Sequence, residues 1–376
     1  MKAPALILAL LALLPQDAKK VDPARVDAAI KKGVAYLEGQ IGRWGTMNKR
    51  RTEELALWTL VHGGVQETDP KFQELLKTVV DSKLEWTYNV SLQAMILEEL
   101  DRVKHQPRIQ QCAQFLADNQ CVNGQWGYGE PSAFVKDTPT GGAGRDVASG
   151  GGTKPKPKPG STVARTKPKV VRKIPVKKMR EGPAGGDNSN SQYAALGLRA
   201  CHDAGIILPK EVMDLAEKWW RESQNEDGGW AYLRRGGSYG SMTAGAVGSL
   251  LICDYIDNRP WQKDREVVRG LEWIGTNFSV SKNPGSAADD AGQAGWHYYW
   301  LYALERAGIF YGTETVGTHE WYPEGARMLL EAQKPDGSWM ASATSDHAIW
   351  DTCFAILFLR RATRPLIDVA TGDRYK

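Results

Sequence analysis

Cysteine is scarce in this chain. Five thiols in 376 residues, an odd number at wide spacing, exclude a disulfide scaffold. Cys112 and Cys121 are close enough in sequence to pair locally; Cys201, Cys253 and Cys353 lie in apolar helical stretches and read as buried thiols. After Pro15 no stretch is apolar enough to cross a membrane, so no transmembrane anchor is expected. Phenylalanine is also sparse, with seven residues against fourteen Trp. That inversion has a positional cause, because many of the Trp recur at one place in a repeating unit.

The composition is otherwise ordinary, with 42% hydrophobic and 24% charged residues. The first residues resemble an export signal. Lys2 gives a short positive region, Ala5 to Leu14 an apolar run, and Gln16, Asp17, Lys19 and Lys20 a polar boundary without a clean A-x-A site. The alternative is a frayed apolar N-terminal helix. A signal peptide over 1–18 implies a periplasmic or secreted protein.

Self-similarity organises the rest. An apolar helix ends in Gln, a short Gly-containing turn follows, and Trp closes the unit. Ala326 to Gln333 is followed by Gly337 and Trp339; Ala216 to Gln224 by Gly228 and Trp230. Looser copies run from Cys112 to Gln120 with Gly124 and Trp126, and from Val34 to Gln40 with Gly42 and Trp44. A second helix rich in Ala and Leu follows each. First helices start near Pro23, Pro70, Pro107, Pro209, Gln262 and Pro323, and their partners near Glu53, Asn89, Asn190, Met242, His297 and Asp351. Asp69-Pro70 reads as an N-cap followed by Pro at N1, and Ser189 with Gln192 has capping-box spacing. Six such hairpins cannot bury their faces alone and must stack on their neighbours. The expectation is an all-α, (α/α)6 toroid: hairpins 1–3 begin over 19–130, the second helix of hairpin 3 through hairpin 6 occupies 187–364, and 365–376 forms a tail.

One region breaks the pattern. Residues 131–186 are rich in Gly, Pro and Lys and lack apolar periodicity, which predicts a disordered basic insertion within the third hairpin. Eleven Lys or Arg and no acid lie between Thr153 and Arg180, against a net charge of +4 for the whole chain, so the body is acidic. The loop is either solvated, docked on the body, or in contact with an anionic polymer or anionic lipid. Nucleic acid is disfavoured by the export signal and by the lack of interleaved aromatics.

The Gln-x-x-x-Gly-x-Trp segments resemble the QW repeats of squalene and hopene cyclases, and through them the terpenoid-cyclase and protein-prenyltransferase superfamily. The resemblance implies that Gln224, Trp230, Gln333 and Trp339 are structural clamps tying an outer helix to the next repeat. It does not carry over the catalysis. Hopene-type cyclases use an Asp-x-Asp-Asp acid, whereas this chain has Ala287-Ala288-Asp289-Asp290; the DDxxD magnesium motif of class I synthases is absent. Asp351-x-Cys353 has the local spacing of the prenyltransferase zinc ligands, with His297 or His347 as a third, but Asp351 also reads as a helix-cap acid and Cys353 as a core residue.

A toroid of this kind opens its cavity at the N-terminal ends of the inner helices, which favour anionic groups. The ligand-cavity candidates there are Tyr193, Tyr239, Trp296, His297, Tyr299, His347 and Trp350, and the candidates for chemistry are His297, Asp351 and Asp290. These residues suit a small apolar or sugar ligand, with no cofactor called for. Three functions stand open: a non-catalytic ligand-binding toroid, an isoprenoid- or lipid-processing enzyme, and a carbohydrate-active toroid such as a polysaccharide lyase or glycosidase.

Overall fold

The computed structural model describes residues 21–42, 52–137, 167–285, 296–341 and 347–366. The expected signal peptide, Trp44, Asp289, Asp290 and residues 367–376 lie outside them. Among the described residues there are twelve α-helices in six pairs. The outer helices are α1 (Pro23–Gln40), α3 (Pro70–Val80), α5 (Gln106–Asp118), α7 (Lys210–Glu222), α9 (Arg265–Thr276) and α11 (Trp321–Ala332). The inner helices are α2 (Glu53–Gly63), α4 (Thr87–Asp101), α6 (Asn188–Asp203), α8 (Gly240–Ile256), α10 (His297–Tyr311) and α12 (Ala348–Arg360). Each inner helix packs on the next, and α12 returns to α2, so the ring is closed. Outer helices lie over the grooves between inner ones: α1 on α12 and α2, α5 on α4 and α6, α11 on α10 and α12. The fold is an α/α toroid.

The helix sequences explain the two layers. In α7 the buried residues Val212, Met213, Ala216, Trp219 and Trp220 form a single stripe, as a helix with one face in water requires. In α8 every residue from Gly240 to Tyr255 is buried, and such a helix can only sit inside. Side-chain caps set the starts. Asp69 accepts from the backbone N–H of Lys71 (2.8 Å) and Phe72 (3.2 Å) ahead of α3. Helix α6 differs from the expected capping box: Ser189 is already helical, and Asp187 is the cap, accepting from the Asn190 N–H at 2.8 Å.

Three of the Gln–Gly–Trp turns repeat one set of bonds. The indole Nε1 of Trp126, Trp230 and Trp339 donates to the carbonyls of Leu116, Trp220 and Leu329, ten residues back (2.8, 2.9 and 2.8 Å). Their backbone N–H groups donate to inner-helix hydroxyls: Ser191 (2.9 Å), Thr243 (3.0 Å) and Thr352 (3.0 Å). The Gln amides reach the next outer helix, Gln120 to the Val212 carbonyl (2.8 Å), Gln224 to Glu266 (2.9 Å) and Gln333 to Ala29 (2.8 Å). The last of these joins the end of the chain to its beginning. The turn glycine touches that same neighbour. Gly337 has φ +92°, and a Cβ there would lie 2.4 Å from the Lys32 carbonyl oxygen; Gly124 and Gly228 meet Leu215 and Arg269 in the same way.

The insertion differs from the sequence expectation. Residues 131–137 and 167–186 are ordered against the body, and 138–166 lie outside the described residues. Partners that no apolar pattern announces hold this strap. Gln106 and Gln114 of α5 donate to the carbonyls of Arg172 (2.7 Å) and Lys177 (2.6 Å), and Asp118 accepts from the Met179 N–H (2.8 Å). The two-residue strands Ile174–Pro175 (β1) and Ile206–Ile207 (β2) pair in parallel. Lys167 of the strap bridges Glu98 and Glu99 on the body. The toroid also runs slightly past its expected end, since Leu366 is fully buried and Pro365 accepts from Arg199. All five cysteines, including Cys112 and Cys121, are free buried thiols.

Replacing Gly337 with Ala combines a left-handed backbone with a clash against the Lys32 carbonyl. It should lower unfolding stability by about 2 kcal/mol or more, and Trp339→Ala by about 3–5 kcal/mol. Denaturant unfolding of both variants checks this, and wild-type stability in either would refute the role given to the turn.

Candidate functional site

All six inner helices bring their first turns to one mouth of the ring, where a cavity of about 520 Å³ opens. Leu55 comes from α2; Tyr88, Asn89 and Leu92 from α4; Ser189, Asn190 and Tyr193 from α6; Ser241 and Met242 from α8; Tyr299 from α10; Trp350 and Phe354 from α12. Trp86, Tyr239 and Trp296 stand just before α4, α8 and α10. Tyr128, Tyr232 and Asn283 enter from the loops after α5, α7 and α9. Ten of these side chains are aromatic, and none of the described lining residues is Asp, Glu, His, Lys or Arg. The volume is that of a small-molecule site.

Trp296 stacks on Trp350 at 5.9 Å between ring centroids and meets Tyr299 edge-on at the same distance. Trp350 is fixed by its Nε1–H, which donates to Thr52 Oγ1 at 3.0 Å. Beside this apolar wall, the hydroxyls of Tyr88, Ser189 and Tyr299 converge. Ser189 and Tyr299 lie 3.0 Å apart, Tyr88 and Tyr299 3.5 Å apart, and Tyr88 is bonded to Ser189. Burial pushes the Tyr88 and Tyr299 phenols well above their ordinary range, so both are protonated O–H groups at any physiological pH.

The helix starts are less inviting to anions than expected. The first N–H of α4 donates to the Tyr128 carbonyl (2.7 Å), that of α6 to Tyr232 (3.0 Å) and that of α8 to Pro284 (2.8 Å). Each inner helix of this trio is capped by the loop of the following repeat. The Asn283 side chain also takes the Ser241 N–H at 2.9 Å and returns a bond to the Ser241 hydroxyl at 3.0 Å. Such donors are no longer available to a ligand.

Tyr193, Tyr239, Trp296, Tyr299 and Trp350 line the cavity, whereas His297, His347 and Asp351 do not. His297 is turned into the wall, where its Nε2 is 2.7 Å from the Val280 carbonyl, and burial lowers its pKa. Asp351 accepts from the Ala341 N–H at 2.8 Å, and burial raises its carboxyl to about 7. His347 packs against Trp296 and Trp350, 5.1 and 5.0 Å between ring centroids. Helix geometry gives the reason. Trp296 and Tyr299, like Trp350 and Phe354, share a face, whereas His297 and Asp351 are one residue, about 100°, further round. The zinc reading falls on the same ground: among the described residues no three His, Cys, Asp or Glu side chains are gathered as a metal group. The Cys353 thiol is buried, and burial pushes it up to about 12. Tyr128 and Tyr232 escaped the sequence reading. Both stand two residues after a closing Trp, and that spacing is the signal that marks them.

No family model matches the chain, and none of the curated proteins does. Solved structures do. A type II terpene cyclase from Scytonema, in complex with geranylgeranyl dihydroxybenzoate, aligns over 90% of this chain and 98% of its own, at TM-score 0.54 and 11% identity. Protein geranylgeranyltransferase-I from Candida albicans, complexed with GGPP, aligns over 88% and 90% at TM-score 0.51 and 12% identity. A possible member of the GH105 family from Salmonella enterica subsp. enterica serovar Paratyphi A aligns over 96% and 98% at TM-score 0.53 and 10% identity. The likeness is one of fold. It spans two isoprenoid-binding proteins and a GH105-type toroid, so the chemistry has to be argued from this chain's own cavity.

Asp351 supplies a titration test. Its folded pKa of about 7 lies above the ordinary carboxyl value of 3.8, so between those limits the folded state holds a proton that the unfolded state releases. Its contribution to stability is therefore present at low pH and is lost as pH rises through about 7. Asp351→Asn keeps an acceptor for Ala341 and removes the titration. The variant should gain on wild type in melting temperature from pH 5 to pH 8; a pH-independent offset would refute the assignment.

Proposed function

We propose that the protein is an exported, non-catalytic toroid that binds a small apolar ligand of the isoprenoid class in its mouth cavity. The observation that carries this reading is the lining itself: ten aromatic side chains around about 520 Å³, with no ionisable acid, imidazole or cation other than phenol among the described residues. Flat, polarisable aromatic faces favour a hydrocarbon chain with double bonds, and burying it recovers roughly 25 cal/mol per Å² of apolar surface. The geranylgeranyl ligands of two proteins with the same fold agree with that class. Protonating a polyene requires an acid in contact with it, and the two chemical candidates with described positions, His297 and Asp351, point into the wall.

Trp86, Trp296 and Trp350 report on the cavity directly. Titration with geranylgeraniol should quench tryptophan fluorescence saturably, and Trp296→Ala should weaken binding by tenfold or more, an aromatic anchor contributing at least about 1.4 kcal/mol. Saturable binding of a neutral oligosaccharide such as maltotetraose, with no response to the isoprenoid, would move the reading to carbohydrate. A rearranged isoprenoid detected by mass spectrometry, and lost in Asp290→Asn, would make the protein an enzyme. Export is tested separately: N-terminal sequencing of protein recovered from its native host should find a mature chain starting close to Lys19, and an intact Met1 would overturn it.

A further inference from the structure

The cavity has one polar feature that binding a bare hydrocarbon leaves unused. Tyr88, Ser189 and Tyr299 come from three different inner helices, α4, α6 and α10, and their hydroxyls meet at the lining. We propose that this triangle of hydroxyls is the anchor for a neutral oxygen on the ligand, so that the preferred ligand is an isoprenoid alcohol rather than a hydrocarbon or a diphosphate. This inference rests on the isoprenoid-binding reading above and refines it.

A hydroxyl gives one proton and accepts two. Ser189 bridges the two phenols, and the Tyr88–Tyr299 contact at 3.5 Å is at the limit of a hydrogen bond, so at least two of the three protons are already used within the triangle. Each oxygen keeps accepting capacity. A ligand O–H inserted at the triangle donates into that spare capacity and accepts a proton from the partner it displaces, which adds a hydrogen bond to the total. A hydrocarbon offers neither half of the exchange. A diphosphate only accepts, so it would have to break the internal bonds to be held by more than one of the hydroxyls.

Charge points the same way. Moving an anion out of water is costly unless a cation or a set of free donors receives it. Among the described residues no cation lines the cavity. At the starts of α4, α6 and α8 the N–H groups that would serve an anion are already given to Tyr128, Tyr232, Pro284 and Asn283. Arg306 is a buried cation of the same ring, but it lies against the rings of Tyr193 and Tyr302, 5.5 and 4.2 Å from their centroids, and donates to Gln192 at 3.0 Å. It is not part of the lining. The two phenols are held protonated by burial, so the triangle stays neutral and keeps its donors.

The test is a set of titrations on the full mature chain, read by tryptophan quenching and repeated by calorimetry. Geranylgeraniol, geranylgeranyl diphosphate and the parent C20 hydrocarbon are compared. One net buried hydrogen bond corresponds to roughly three- to tenfold in affinity. The alcohol should therefore bind about three- to tenfold more tightly than the hydrocarbon, and the diphosphate should bind more weakly than the alcohol. Tyr299→Phe and Ser189→Ala should each bring the ratio of alcohol to hydrocarbon affinity down towards one, with melting temperature confirming that both variants are folded. Equal losses for alcohol and hydrocarbon would show that the hydroxyls only shape the wall, and tighter binding of the diphosphate would overturn the neutral anchor. If none of the three probes binds, the isoprenoid reading itself fails; if the hydrocarbon binds as well as the alcohol, only the anchor does.

Discussion

The tie between one outer helix and the next is the constraint from which the rest of this molecule follows. A helical hairpin exposes an apolar face that only a neighbour can cover, and packing alone fixes neither the distance nor the angle of that neighbour. Here the Gln amide reaches the first turns of the following outer helix, the Gly turn rests on that helix's backbone carbonyl, and the indole spans back to its own helix. These contacts are short and directional, so each repeat is set against the next with little freedom. Present at three of the six hairpins, with Gln333 reaching Ala29, and joined by the packing of each inner helix on the next, they close a ring instead of an open superhelix.

Closure has a chemical consequence at the two ends of the ring. The inner helices all start at one face and all finish at the other. At the finishing end the charges collect: Glu98, Glu99, Asp203, Arg199 and Arg364 surround Lys167, delivered there by the strap, and Thr363 donates to Glu305. Opposite charges in contact compensate much of the cost of their burial, and the chain's C-terminal segment fills the space between them. At the starting end, carbonyls of neighbouring loops cap the first N–H groups of α4, α6 and α8, so the field of the helix starts is spent on the protein itself. Among the described residues, the result is a ring that is ionic at one end and has an uncharged, hollow mouth at the other.

The degree to which the sequence foretold this depended on range. Trp at a fixed distance from Gln and Gly is a local signal that marked the turns after α5, α7 and α11, and the helix-start residues and the Ala- and Leu-rich partner helices supplied the remaining hairpins. The inner-helix starts came out within three residues, which placed Tyr193, Tyr239, Trp296, Tyr299 and Trp350 at the right end of the ring. Which of two adjacent residues faces inward is settled by helix phase. His297 and Asp351 were misplaced by a single step of about 100° because inner helices, apolar on every side, carry no amphipathic stripe from which to read that phase. The strap over 167–186 was illegible for a related reason. Its order comes from Gln106, Gln114 and Asp118 on α5, long-range polar partners that leave no periodicity in the strap itself.

The misplaced pair matters more than the error's size implies, because it decides which class of function the cavity can serve. Had His297 and Asp351 faced the hollow, an imidazole and a carboxyl with a pKa near neutrality would have stood beside a polyene, and acid–base chemistry would have been the natural reading. Turned into the wall, the same groups do structural work: His297 holds the chain at Val280, and Asp351 caps the backbone at Ala341 where the chain leaves the closing Trp339. Their shifted pKa values then report burial rather than catalysis, since a perturbed titration belongs to a mechanism only when the group can touch a substrate. Among the described residues, what faces the hollow is aromatic and aliphatic carbon with a few neutral hydroxyls and amides, and on the isoprenoid reading proposed above such a lining would select a ligand by shape, apolar area and the placement of an oxygen.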